Sequence, residues 1–223
     1  MKNSNSYIEV KNLNFCYESS DFSLTNFNVV LNKNEIIALI GGNGTGKTTL
    51  GKLLTGILRS NHGDIFIDGK NIQDMELGEI GTKIGYLFQN PEKQIFAPTV
   101  YEDICFPLQL KGMDSEIIEE KASTVMKELE IQHLRDKTSY NISQGEKQRV
   151  ALAGILVNDV EYLILDEPTS SLDEHRKELL GRILERLKDS GIGILLISHD
   201  DNFIKRYCTK EFSLNKNGEI SYE

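Results

Sequence analysis

Two stretches of this sequence carry residue types at spacings that suit phosphate chemistry. Gly41-Gly42-Asn43-Gly44-Thr45-Gly46-Lys47-Thr48 fits G-x-x-x-x-G-K-[ST] and lies between an apolar run and a segment of helical period. Glycines let successive amides turn inward without Cβ clashes, and the following helix adds its positive N-terminal end, so the loop is suited to cradle phosphate oxygens. Lys47 then reaches the β- and γ-phosphates of a nucleoside triphosphate, Thr48 offers its hydroxyl to Mg2+, and Thr49 holds the α-phosphate side. The second stretch, Tyr162-Leu163-Ile164-Leu165-Asp166-Glu167, is an apolar strand ending in two carboxylates whose side chains point to different faces. Asp166 is the candidate to hold Mg2+, mainly through its water shell, and Glu167 the candidate to orient and deprotonate an attacking water.

The elements that must position these residues follow from hydrophobic period. Ile8 to Tyr17, Leu24 to Leu31 and Glu35 to Ile40 read as strands ahead of the loop, and Lys47 to Leu58 reads as a helix through Leu50, Leu53, Leu54 and Ile57. Ile65 to Ile67 with Asp68-Gly69 reads as a hairpin, and Ile84 to Phe88 as another strand. From Gln89 to Asn141 the character changes: Pro91, Pro98 and Pro107 punctuate its first part, and Ile118, Ala122, Val125, Met126 and Leu129 then keep helical period. Strands return at Tyr162 to Leu165 and Ile192 to Ile197, separated by a helix from Glu174 to Lys188, the alternation of a parallel α/β sheet.

Composition sets the outer bounds. A chain of 223 residues can bury one sizeable core, and 39% hydrophobic with 26% charged residues lies near globular averages. The longest apolar runs fall short of the ~20 residues that cross a bilayer, and Met1 to Ser6 shows no secretory signal. The expected location is therefore cytoplasmic, with any membrane association made through a partner. Cys16, Cys105 and Cys208 have no metal-ligand spacing and read as small buried or half-buried thiols. A formal net charge of -9 disfavours a nucleic-acid track, so no nucleic acid is expected as a partner.

In their order along essentially the whole chain, these motifs resemble those of the ATP-binding cassette (ABC) ATPases. The resemblance implies ATP and Mg2+ as ligands and an α/β fold: a P-loop NTPase core with a RecA-like parallel sheet (1–88 and 150–223), an antiparallel β subdomain, and an inserted helical subdomain (89–149). It further implies that Tyr17 stacks on adenine, that Gln89 is the Q-loop glutamine contacting Mg2+ and attacking water, and that His199 is the switch histidine at the γ-phosphate. Ser170-Ser171-Leu172-Asp173 resembles the D-loop of the dimer interface. Asn141-Ile142-Ser143-Gln144-Gly145-Glu146-Lys147-Gln148-Arg149 resembles the family signature, departing from it at Ile142, Gln144 and Glu146. Ser143 and Glu146 also spell a helix capping box, a local role that needs no nucleotide. By resemblance Ser143, Gln144, Gly145 and Glu146 face the ATP held by another subunit, in a homodimer or a heterodimer with a related ATPase.

Asn90-Pro91-Glu92-Lys93-Gln94-Ile95-Phe96-Ala97-Pro98 and the residues to Ile104 are similar to the energy-coupling factor (ECF) type, which includes cobalt and nickel uptake ATPases. This implies a subunit on the cytoplasmic side of the membrane that powers import of a vitamin or transition-metal ion, with transmembrane subunits docking at Gln89 to Leu110. Two other readings stay open at this level: a soluble ABC ATPase acting on DNA or ribosomes, and a nucleotide-dependent scaffold with little hydrolysis.

Overall fold

Ten strands and seven α-helices are formed by the described residues of the computed structural model, which are 6–18, 22–170, 172–215 and 220–222. The strands are β1 (Ser6–Cys16), β2 (Ser23–Asn32), β3 (Ile36–Ile40), β4 (His62–Ile67), β5 (Lys70–Asn71), β6 (Ile84–Leu87), β7 (Tyr162–Asp166), β8 (Gly193–Ile197), β9 (Lys210–Leu214) and β10 (Ile220–Tyr222). The helices are α1 (Lys47–Leu54), α2 (Leu77–Lys83), α3 (Val100–Leu110), α4 (Ser115–Glu128), α5 (Gln144–Leu156), α6 (Glu174–Asp189) and α7 (Asp201–Tyr207). One sheet is antiparallel, in the order β2-β1-β4-β5; the other runs β10-β9-β3-β8-β7-β6 and is parallel except at β10.

The apolar runs of the parallel sheet are continuous because both of its faces are covered. Alternate residues enter different cores: Ile36, Ala38, Leu163, Leu165, Ile194 and Leu196 face the layer holding α3 to α7. Ile37, Leu39, Tyr162, Ile164, Leu195 and Ile197 face α1 and the antiparallel sheet. Burying one such aliphatic side chain contributes about 1.5–3 kcal/mol, so this double-sided burial makes the sheet a stiff base for the loops at its edge.

Several boundaries differ from those expected. Helix α1 ends at Leu54, short of Leu58, because the Thr55 hydroxyl bonds Gly51 O at 3.1 Å and the Gly56 amide closes onto Leu53 O at 3.1 Å. Pro107 does not interrupt the chain but lies inside α3. A proline there costs ~3 kcal/mol, offset by the Thr99–Glu102 capping box and by burial of Ile104, Cys105 and Leu108. The expected division at 149/150 falls inside α5, which packs on α3 and α4 as well as on β6 and so belongs to both layers. Cys16 is exposed, contrary to its expected burial, because it is the last residue of β1 and lies beyond the stretch of that strand paired with β4.

Candidate active site

Parallel pairing explains why distant residues meet. β3, β8, β7 and β6 are neighbours in that order and point the same way, so the segments leaving their carboxyl ends line up along one edge. β3 delivers the loop of Gly41 to Thr48, β8 delivers His199, β7 ends in Asp166 with Glu167 next, and β6 is followed by Gln89. Asn43, Gly44, Gly46, Lys47, Thr48, Thr49, Gln89, Asp166, Glu167 and His199 line one cleft of about 240 Å³.

The loop geometry depends on two glycines. Gly41 has φ 144°, and a Cβ there would stand 2.4 Å from the Leu214 carbonyl oxygen. Gly46 has φ 97° and lies under the Phe22 ring, where a Cβ would meet Phe22 Cζ at 2.1 Å. Thr45 is buried and its hydroxyl donates to Gly42 O at 3.0 Å, which braces the turn from within. Lys47 Nζ donates to Gly41 O (2.7 Å) and Gly42 O (3.1 Å), so its ammonium sits across the mouth of the loop. Tyr17 shares a 3.1 Å hydrogen bond with the Thr49 hydroxyl, linking β1's end to α1, and its ring packs edge-on against Phe15.

Asp166 is almost fully buried. Its Oδ2 accepts from the Thr48 hydroxyl (2.8 Å) and from the Tyr86 hydroxyl (3.0 Å), while Oδ1 is buried with no hydrogen-bond partner among the described residues. An orphaned carboxylate oxygen beside a threonine hydroxyl is a hard-oxygen set that fits Mg2+. Glu167 has φ 52°, rare for a residue with a side chain and held here by its amide bond to Ile197 O at 2.8 Å. His199 Nε2 lies 3.2 Å from Glu167 Oε1.

Burial, the largest influence, raises the Glu167 carboxyl above its ordinary value, against the opposing pull of His199 and Lys47. Burial likewise lowers the Lys47 ammonium, against the pull of Glu167 and Asp166. A raised carboxyl favours folding while protonated, and that contribution is lost as pH rises through the folded-state value. Glu167→Gln should therefore raise the thermal midpoint of the nucleotide-free protein, and by more at neutral pH than near the ordinary glutamate value of about 4.5. Thermal unfolding of both proteins across that pH window checks this; a gain that shrank towards neutral pH would contradict it.

The signature residues lie elsewhere. Ser143 caps α5 in a reciprocal box: Glu146 Oε2 accepts from the Ser143 amide at 2.7 Å and Ser143 Oγ from the Glu146 amide at 3.4 Å. Gln144 is exposed and Gly145 is buried against Leu172 and Arg176. These residues do not line the phosphate cleft of their own chain. Ser170 follows β7 closely, its amide on Glu167 O (3.3 Å); Leu172 is half-buried; Asp173 caps α6 through the Arg176 amide (2.9 Å). Ser171 lies outside the described residues.

Three residues near the cleft were not singled out by sequence reasoning. Tyr86 had a usable signal, since a lone hydroxyl within a buried strand needs a polar partner. Phe22 had none, standing beside a polar stretch. Gln94 makes two bonds to the end of β6, accepting from the Phe88 amide and donating to Tyr86 O, each 2.8 Å, and so shapes the turn that carries Gln89.

A parallel sheet with this loop and these carboxylates at its carboxyl edge defines a P-loop NTPase of the α/β class. The ABC transporter family model matches residues 24–170, and the chain belongs to that family. An energy-coupling factor transporter ATP-binding protein, EcfA, of Methanothermobacter thermautotrophicus is 36% identical over 218 residues, covering 97% of this chain and 70% of that protein. The solved structure of cbiO1 from Clostridium perfringens, described as part of the ABC transporter complex cbiONQ, superposes with a TM-score of 0.89 at 32% identity, over 98% of this chain and 88% of that one. A Clostridium tetani relative is 42% identical over 213 residues, and there the chain spans 96% of its own length but 48% of the relative's.

Proposed function

We propose that this chain is the ATP-binding and ATP-hydrolysing part of an ECF-type membrane importer of a vitamin or transition-metal ion, and that it works as one of a pair of cassettes. The observation that carries the reading is the convergence of Lys47, Thr48, Asp166, Glu167 and His199 on one cleft. The amides of Gly41 to Thr48 and the start of α1 hold the phosphates, and the Lys47 ammonium offsets their charge. Thr48, Asp166 and Gln89 are the residues that would hold Mg2+, which when bound neutralises phosphate charge. Glu167 orients a water in line with the γ-phosphate and takes its proton on a carboxylate oxygen, while His199 steadies the γ-phosphate and the adjoining carboxylate. ADP and inorganic phosphate result.

Ser143 and Gly145 of a second cassette close over the nucleotide from the other side, with Ser170 to Asp173 along the seam. The exposed Phe96 and Phe106 rings, 4.8 Å apart and edge-on, together with Leu110, give the Gln89 to Leu110 region the apolar surface that a membrane subunit's helix uses. Among the described residues no helix is long and apolar enough to cross a membrane, which agrees with a peripheral position on the cytoplasmic face. Isolation of the chain from native membranes should bring integral membrane subunits with it, and their presence should raise magnesium-dependent ATP turnover. Co-isolation with ribosomes, or salt-sensitive DNA binding, would sink the transport reading.

A further inference from the structure

The first turns of α5 are tied directly to the turn that follows β7. Gln148 Nε2 donates to the carbonyl of Pro168, the residue that follows Glu167. One turn earlier, Gly145 is buried beside Leu172 and Arg176, where a Cβ would be in ordinary van der Waals contact, 3.4 Å from a carbon of each. The chain between these contacts returns to the site: Ser170's amide bonds Glu167 O at 3.3 Å, Leu172's amide bonds Thr169 O at 3.2 Å, and the Thr169 and Ser198 hydroxyls meet at 3.2 Å beside His199. Pro168 has a fixed φ, and Glu167 before it holds a left-handed conformation that persists only where its surroundings impose it. A helix gripping the Pro168 carbonyl thus acts on the least tolerant part of the catalytic turn.

We infer that Gln148 is a positioning residue linking the two ATP sites of the pair: it fastens the turn that sets Glu167 in one cassette to the α5 turn which that cassette presents to its partner's nucleotide. The inference rests on the two-cassette reading above. A helix moves as a rigid body when its capped end is engaged, so a shift at Ser143 and Gly145 reaches Pro168 through one hydrogen bond at the next turn. On α5's other side Lys147 pairs with Glu92 at 2.6 Å, in the turn that follows Gln89. The start of α5 is therefore held between the Q-loop and the catalytic strand, and Gln148 is its grip on the latter.

The test is ATP turnover as a function of ATP concentration for the unaltered protein and for Gln148→Leu, Gln148→Glu and Gln148→Lys. The unaltered protein should show a Hill coefficient approaching about 2, the limit for two sites. Gln148→Leu removes the donor, and Gln148→Glu replaces it with an acceptor of equal length. Both should lower kcat at least about five-fold and bring the Hill coefficient to about 1, with fluorescent-nucleotide affinity unchanged within about two-fold. Gln148→Lys restores a donor and should recover cooperativity. Unaltered kcat and steepness in Gln148→Leu and Gln148→Glu, or a Gln148→Lys protein as impaired as Gln148→Leu, would overturn the inference. Should the unaltered protein show no cooperativity and Glu167→Gln form no pair in ATP, it is the two-cassette reading beneath it that fails.

Discussion

Glu167→Gln is expected to leave ATP binding in place, to cut turnover by ~10²–10⁴-fold, and to hold the protein as a pair in ATP. The amide keeps the size of the side chain and its place at the end of β7, and no backbone bond is lost, since the Glu167 amide still reaches Ile197 O. What disappears is a carboxylate able to take a proton. In the folded protein that carboxylate is costly, because burial raises its affinity for a proton and only His199 and Lys47 oppose the shift. The same shift brings a glutamate towards the range where a general base works well. Hydrolysis should accordingly fall as acid protonates Glu167, whereas the residual turnover of the variant should lack that limb. Steady-state ATPase measurements over pH, with size-exclusion chromatography in ATP, decide the matter. Turnover within about three-fold of the unaltered protein would remove Glu167 from its role.

Lys47→Ala should weaken ATP binding by ~10²–10³-fold with little effect on folding. Removing one partner of a desolvated, hydrogen-bonded charge pair costs ~2–5 kcal/mol, and the variant's loop keeps its amides but no longer brings a full positive charge of its own to the triphosphate. Folding has less at stake. Among the described residues Lys47 Nζ bonds loop carbonyls alone, Gly41 O and Gly42 O, and burial already disfavours its charge. Lys47→Arg should not rescue binding, because a planar guanidinium needs more room than the compact ammonium that fits across the loop. Calorimetric titration with magnesium nucleotide reads the affinity and thermal unfolding reads the fold. An affinity within three-fold of the unaltered protein would place the phosphates elsewhere.

Much of the site was legible before any fold was known, since its parts are local. The loop from Gly41 to Thr48 is a run of glycines ending in Lys and Thr between a strand and a helix, and the backbone freedom of Gly41 and Gly46 is needed for reasons the residue type announces. Asp166 and Glu167 close an apolar strand, and the Ser143–Glu146 capping box is spelled within four positions. Helix ends were less legible. Thr55 stops α1 by bonding back to Gly51, and α3 runs through Pro107, because the balance of capping, burial and proline cost is struck after packing.

What the sequence by itself determined is the set of local chemistries: a phosphate-cradling loop, a carboxylate pair, a capped helix start, and strands whose unbroken apolar runs require cover on both faces. The tertiary structure alone decided which of these meet. The order β3-β8-β7-β6 brings Lys47, His199, Glu167 and Gln89 to one edge, while Ser143 and Gly145 stay off that cleft, at a helix start where Gly145 lies beside Leu172 and Gln148 donates to the Pro168 carbonyl. Tyr86 on Asp166 and Gln94 on Phe88 and Tyr86 follow the same rule. Such contacts leave no period or spacing in the chain, because each depends on the register and order in which strands and helices pack rather than on any neighbour in sequence.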